Sequence, residues 1–139
     1  IINYLRHASR AYIFSAALPP AQAAAANEAF KVILDEPERI EKLNLNTKQF
    51  IGGLKSMGFD TLLTETAIVP VLCGTDEKAF ELTKRCQEQD VFVLPVVSPA
   101  VQEGLSRLRA TVTAAHNPAD IEHAMDVIYQ AGKAMGMVK

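Results

Sequence analysis

The chain has 139 residues, of which 49% are hydrophobic, and a formal net charge of −2 at pH 7. This apolar content is enough for a packed core and argues against disorder, and the length suits one domain or part of one. Basic and acidic residues are interspersed, which argues against nucleic-acid or membrane-surface binding, because both require a basic face. No apolar run approaches the ~20 residues that span a bilayer, so we expect no membrane span.

The first part of the chain predicts two helical segments around a short extended piece. Residues 1–9 have an amphipathic pattern without a helix cap and are predicted to be the end of a helix, and "AYIFS" after them is predicted to be extended. An alanine-rich helix begins near Pro20, which suits a first helical turn, and Pro37 ends or bends it. Because the sequence opens inside a helical pattern without an initiator Met, we expect it to come from a longer protein.

The strongest helix signal runs from about residue 38 to residue 57. Apolar residues recur there at spacings of three and four, and Gly58 is expected to end the helix. Gly52 and Gly53 each weaken a helix by about 1 kcal/mol relative to Ala. We therefore expect these glycines to serve close contact between this helix and a sheet.

Three strands and two helices are predicted in the rest of the chain. "TAIVPVLCG" is a strand in which Pro70 indicates an edge position or a bulge. "VFVLPVV" and "RLRATVT" are the next two strands. Thr75 is expected to cap the first helix, and Asn117 with Pro118 to open the second. This order predicts a small α/β (α+β-like) fold, with a short, mainly antiparallel sheet and helices packed on one of its faces.

The last predicted strand alternates in character. Leu108, Ala110 and Val112 fall on one side of it, and Arg107 and Arg109 fall on the other together with Thr111 and Thr113. A strand with two arginines on one face has two explanations. Either the face is solvated, or an anionic group lies on it.

The common catalytic motifs are absent from the sequence. There is no Walker phosphate loop, no G-x-G-x-x-G, no H-E-x-x-H and no C-x-x-C. The three histidines, His7, His116 and His123, have no spacing that indicates a metal site. We expect Cys73 and Cys86 to be reduced, buried hydrophobes of a cytoplasmic protein. The residues alone therefore indicate no complete catalytic apparatus.

Two segments, "YIFSAALPP" and "RLRATVTAAHNPADI", resemble the α-oxoamine synthases, a family of pyridoxal-phosphate enzymes with the aspartate-aminotransferase fold. "EKLNLNTKQFIGGLKSMGF" is similar to the interdomain helix of that family, and "SPAVQEGLSRLR" to its substrate loop and strand. The resemblance implies that residues 1–36 are a helical connector at the end of a large cofactor-binding domain, and that residues 37–139 are the C-terminal small domain. It also implies that the Schiff-base lysine precedes this chain, so no catalytic residue is expected here.

Two site residues, Arg109 and Ser15, carry over from the family motifs, and Ala16 and Ala100 stand at motif positions where this sequence departs from the family. The resemblance implies that Arg109 binds the α-carboxylate of an amino-acid substrate, and that Ala100 lies in the substrate loop where many relatives have threonine. It implies that Ser15 contacts the cofactor phosphate of the neighbouring subunit, and that Ala16 stands where most relatives have a second hydroxyl residue. From the residues alone, a solvated Arg109 and a Ser15 that caps the helix after Pro19 remain the alternatives.

The implied activity is the decarboxylative condensation of an amino acid with an acyl thioester, carried by CoA or by an acyl carrier protein, in a cytoplasmic homodimer. Ala16, Ala100 and the tail "YQAGKAMGMVK" are closest to the serine palmitoyltransferase-like branch. The alternatives within the family are 8-amino-7-oxononanoate synthase and 2-amino-3-ketobutyrate CoA ligase activity. The alternatives of another class are a non-catalytic small-molecule-binding domain and a dimerisation domain.

Overall fold

A computed structural model describes residues 1–15 and 18–138 and divides the chain into two units, Ile1–Pro37 and Glu38–Lys139. The first unit is helical, and the second contains a sheet with helices. Within the described residues, no helix is both long enough and apolar enough to cross a membrane.

The first unit has three helices, α1 (Ile2–Ala8), α2 (Arg10–Ile13) and α3 (Pro20–Asp35). The prediction of an extended piece at "AYIFS" is wrong, because most of it belongs to α2. Ser9 explains the difference: it has extended dihedral angles, and its hydroxyl accepts a hydrogen bond from the Tyr12 amide at 3.4 Å. A serine in this position caps a new helical turn, which a strand pattern does not reveal.

Helix α3 begins as predicted, with Pro20 in its first turn. None of its residues is buried, although it carries three large apolar side chains at helical spacing. Phe30 is 67% exposed, Ile33 46% and Leu34 79%. Positions i, i+3 and i+4 share one helix face, so α3 has an exposed apolar stripe.

The second unit follows the predicted order of elements. These are α4 (Glu38–Ser56), β1 (Ile68–Gly74), α5 (Asp76–Gln87), β2 (Leu94–Val96), β3 (Ser106–Thr111) and α6 (Pro118–Ala134). The strands form one sheet in the order β1–β3–β2, and both outer strands are antiparallel to β3. The predicted fold class is confirmed.

The core of this unit lies between one face of the sheet and the helices. Alternate residues of β1 and β3 are buried, as the period of a strand requires. Helix α5 contacts all three strands, and α6 contacts α4 and α5. The fully buried side chains at the centre come from α4, β1, α5, β3 and α6, and they include Leu54, Val69, Val71, Leu82, Leu108 and Ile128.

The two predicted helix caps are confirmed. Thr75 accepts a hydrogen bond from the Lys78 amide at 3.4 Å at the start of α5. Asn117 and Asp120 form a reciprocal capping box at the start of α6, with N–O distances of 2.8 and 3.0 Å. The box satisfies two amides that the helix itself leaves without partners.

Pro70 lies on an edge strand, as predicted, and β1 also has a register irregularity between Leu72 and Gly74. The amide of Leu72 points away from β3 and donates to the Asp60 carbonyl at 2.9 Å. Pro70 is two residues earlier, so its nitrogen faces the same outer edge. The missing N–H of proline therefore costs no hydrogen bond between β1 and β3.

Strand β2 is shorter than predicted, because "VFVLPVV" forms only three strand residues. The segment before β2 uses its polar groups to finish α5 instead. The Val91 amide donates to the Cys86 carbonyl at 3.0 Å, and the Val93 carbonyl accepts from the Gln87 side chain at 3.0 Å. Val91 and Val93 are still buried. The apolar pattern of this segment therefore indicated which residues are buried, but not how long the strand is.

The glycines of α4 do not contact the sheet, which corrects the expectation for this pair. A Cβ atom at Gly53 would overlap the side chain of Met125 on α6, whereas a Cβ at Gly52 would meet nothing within 4 Å. Gly53 thus permits a close approach between two helices. Gly58 has a φ of +93° and follows the end of α4, as expected for a terminating glycine.

Candidate functional site

The candidate site is the face of the sheet that points away from the core, which we call the open face. The register places Arg109 between Pro70 of β1 and Leu94 of β2, and it places Arg107 between Leu72 and Val96. Arg109 is exposed, and Arg107 is half-buried. Directly paired residues in antiparallel strands lie on the same face, so both arginines stand on a largely apolar surface.

The two guanidinium groups differ in their partners. Within residues 1–15 and 18–138, the Arg109 side chain makes no hydrogen bond or ion pair. The Nε atom of Arg107 donates to the Leu105 carbonyl at 3.0 Å. A guanidinium has five donors in a fixed planar arrangement that matches a carboxylate or a phosphate. Arg109 can therefore bind an anion through two parallel N–H donors.

The backbone that carries both arginines is held on the core side of the sheet. Leu108 and Ala110 are buried there, and the fully buried Ser106 hydroxyl donates to an Asp76 carboxylate oxygen at the start of α5. No sequence pattern indicates this contact of Asp76. The available signal was Ser106 itself, a polar residue at a position that the alternation assigns to the core.

Ala100 lies in the connection between β2 and β3, where it is exposed and its amide donates to the Val97 carbonyl at 3.0 Å. This connection joins the two strands whose residues pair at Arg109 and Leu94. Ala100 and Arg109 thus belong to the same unit. The methyl group of Ala100 leaves space that a larger side chain would fill.

Ser15 lies in the first unit, where it is exposed and its hydroxyl donates to the Tyr12 carbonyl at 2.7 Å. The alternative that Ser15 caps the helix after Pro19 is wrong, because Pro19 is itself the N-cap residue of α3 and that end has no side-chain cap. Ala16, the second expected cofactor contact, lies outside the described residues.

Both cysteines are buried and free. Burial raises the pKa of Cys73, against smaller opposing effects of a backbone hydrogen bond and Lys78. Burial, with a smaller contribution from Cys73, raises the pKa of Cys86 to about 11. A thiol must lose its proton to act as a nucleophile or a metal ligand. These cysteines are therefore core residues rather than reactive groups.

The histidines of the second unit have structural partners. His116 Nδ1 accepts a hydrogen bond from the Thr113 amide at 3.2 Å, and His123 Nε2 lies 3.2 Å from the Gln89 carbonyl oxygen. Among the described residues, no three His, Cys, Asp or Glu side chains are grouped so that they could hold a metal ion.

Comparison with known proteins decides the family. The family model for aminotransferase class I and II matches residues 1–128. The chain belongs to this family. It is 41% identical over 138 residues to 8-amino-7-oxononanoate synthase 1 of Bacillus velezensis, and 41% identical over 141 residues to 8-amino-7-oxononanoate synthase of Citrifermentans bemidjiense. These matches cover 99% of this chain and 35% and 36% of the relatives.

Structure comparison finds similarity to solved serine palmitoyltransferases. A serine palmitoyltransferase from S. paucimobilis, solved with PLP and myriocin bound, is 34% identical to this chain with a TM-score of 0.86. That match covers 98% of this chain and 35% of the transferase. The chain thus spans about a third of the length of its relatives, and it corresponds to the C-terminal part of the larger fold.

Proposed function

We propose that this chain is the C-terminal part of a pyridoxal-phosphate-dependent α-oxoamine synthase, which condenses an amino acid with an acyl thioester and releases carbon dioxide. Its family membership and its similarity to 8-amino-7-oxononanoate synthase and serine palmitoyltransferase support this proposal. Residues 1–36 would connect to the large domain, and residues 37–139 would form the small domain. A division of the chain after Pro37 and the exposed apolar stripe of α3 are consistent with these roles.

The described residues fit the edge of a cofactor site rather than its centre. The exposed hydroxyl of Ser15 can donate to a phosphate oxygen in place of the Tyr12 carbonyl that it now contacts. Pyridoxal phosphate, when bound, supplies an electron sink for the amino-acid α-carbon. The Schiff-base lysine would come from outside this chain, and Ser15 would reach the cofactor of the partner in a homodimer, beside Ala16.

Arg109 would bind the substrate carboxylate, and this assignment rests on one observation. Its guanidinium has no anionic partner among the described residues, although it stands between the apolar side chains of Pro70 and Leu94. A bound carboxylate would supply the missing charge. By fixing the carboxylate on a rigid strand, Arg109 would orient the bond that breaks during decarboxylation, which is a positioning effect. Ala100, in the adjoining connection, would leave room for the substrate.

The test is the steady-state kinetics of the full-length enzyme with Arg109→Ala. A charge-assisted bidentate contact contributes about 1.5–3 kcal/mol, which corresponds to an increase of about 10- to 150-fold in the amino-acid KM. Arg109→Lys should recover part of this loss. The control is Arg85→Ala, an exposed arginine of α5 that pairs with Glu81 and should leave the KM unchanged. An unchanged KM for Arg109→Ala would remove Arg109 from the site.

The two kinds of enzyme among the named relatives suggest different substrates, and a direct assay separates them. Identity is 41% to the B. velezensis 8-amino-7-oxononanoate synthase and 34% to the S. paucimobilis serine palmitoyltransferase. This difference favours the former over the branch that the alanines at positions 16 and 100 suggest. Turnover of the full-length enzyme with alanine, serine and glycine, against acyl-CoA and acyl-carrier-protein donors, would identify the pair. Absence of condensation with every pair would favour a binding or dimerisation role.

Three further features of the proposal are the location of the protein, its oligomeric state and the role of Ser15. Buried, free thiols suit the reducing cytoplasm, so we propose a cytoplasmic enzyme. The homodimer is tested by the mass of the full-length protein in solution, and the Ser15 contact by its affinity for pyridoxal phosphate. Ser15→Ala should weaken cofactor binding without changing the mass, whereas Ser56→Ala, an exposed serine at the end of α4, should not weaken it.

A further inference from the structure

We propose that Arg107 forms a second anion subsite, which binds a negatively charged group of the acyl donor while Arg109 holds the amino-acid carboxylate. This inference rests on the proposed function and adds a specificity-determining residue to it. Arg107 is two residues from Arg109 on the same strand and the same face. Their Cα atoms are therefore separated by roughly 7 Å along the strand.

The position of Arg107 is constrained, but its charge is not compensated. It is half-buried between Leu72 and Val96, and its Nε atom donates to the Leu105 carbonyl at 3.0 Å. That carbonyl is neutral and takes only one of five N–H donors. The hydrogen bond orients the guanidinium plane and leaves both terminal amino groups available for an anion.

The three strands contribute no acidic residue to the open face that could balance the two arginines. Its other positions on the three strands are Ile68, Pro70, Leu72, Leu94, Val96 and Thr111. Ile68 and Leu94 are 46% and 47% exposed, and a sheet face that stays in water is normally polar. This apolar composition indicates a face that is covered in the complete enzyme.

Covering such a face without counter-charges would be unfavourable, because a buried cation needs an anionic partner. The amino-acid substrate has one α-carboxylate, which can neutralise one guanidinium. We assign the second anion to the acyl donor, which is the other substrate of the proposed reaction. Its anion is either a carboxylate at the far end of the acyl chain or a phosphate of the carrier.

The experiment measures donor kinetics of the full-length enzyme with Arg107→Gln, Arg107→Lys and the surface control Arg85→Gln. Four donors of equal acyl length separate the two anions: an alkanoyl-CoA, its ω-carboxy analogue, and the N-acetylcysteamine thioesters of both, which lack phosphate. We expect Arg107→Gln to raise the KM of the anionic donors about 10- to 100-fold. The amino-acid KM should change less than twofold, and Arg107→Lys should restore much of the donor affinity.

The pattern across donors identifies the anion. A loss confined to ω-carboxy donors on both carriers assigns Arg107 to the acyl carboxylate, and a loss confined to CoA donors assigns it to phosphate. Equal kinetics of Arg107→Gln and wild type with all donors would overturn the subsite and leave the condensation activity standing. So would an equal loss with the uncharged thioester, because it would indicate a structural effect. A wild-type enzyme that condenses no donor would overturn the proposed function together with the subsite.

Discussion

Replacement of Asn46 by alanine should destabilise the second unit, because this side chain joins two distant parts of the chain. Asn46 lies on α4 and is 5% exposed. Its amide nitrogen donates to the carbonyl oxygens of Thr113 and His116, at 3.0 Å each. These carbonyls lie in the turn that connects β3, the strand of the candidate site, to α6. The substitution leaves both of them without this donor.

The expected loss of stability follows from the two hydrogen bonds and from the helix propensities of asparagine and alanine. A hydrogen bond contributes a net 0.5–1.5 kcal/mol, roughly, so the pair contributes about 1–3 kcal/mol. Alanine is a better helix former than asparagine by up to about 0.7 kcal/mol, which partly offsets the loss. Asn44 on the same helix is exposed, and the same substitution there changes only helix propensity. The difference between Asn46→Ala and Asn44→Ala should therefore be about 1–3 kcal/mol.

The assay is urea-induced unfolding of the two variants and the wild type, followed by far-ultraviolet circular dichroism. The midpoint for Asn46→Ala should fall, and that for Asn44→Ala should stay level or rise, with similar slopes for all three proteins. Surface substitutions usually change the free energy of unfolding by no more than about 0.5 kcal/mol. A difference between the two variants within that range would refute the reasoning. In that case the amide would be replaceable by water.

Two more predictions follow from packing and from thiol burial. Gly132→Ala should lower the free energy of unfolding by about 1–3 kcal/mol, because its Cβ would lie 2.6 Å from the Phe59 ring. Gly52→Ala should raise the free energy of unfolding by up to about 1 kcal/mol, because a Cβ there would meet nothing within 4 Å. Equal effects in thermal unfolding would contradict the packing. The raised pKa of Cys86, about 11 against 9.0, favours the protonated thiol in the folded state. This stabilisation is complete below pH 9 and is lost as the pH rises through 11, by roughly 3 kcal/mol at most. Urea titrations at pH 8 and above should show a smaller loss in Cys86→Ala, and identical pH profiles would exclude the effect.

Much of the candidate site could be predicted from the alternation of a single strand. Period-two spacing places Arg107 and Arg109 on one face and Leu108 on the other, and the structure has this arrangement. The neighbours of Arg109 could not be predicted from this strand. Pro70 and Leu94 precede it in the chain by about 39 and 15 residues, and only the register of the sheet brings them beside it. The apolar setting of the guanidinium, on which the proposed function depends, is therefore a tertiary property.

The sequence by itself determined the helix ends that depend on residues close together in the chain. The Asn117–Asp120 capping box, Pro20 at the start of α3 and Gly58 at the end of α4 each act on backbone groups nearby in the chain, so each could be read from the sequence. The tertiary structure alone decided that Gly53 faces Met125 and that Asn46 binds the turn after β3. Packing distances and long-range hydrogen bonds depend on where the whole chain goes, and no short window of sequence contains that information.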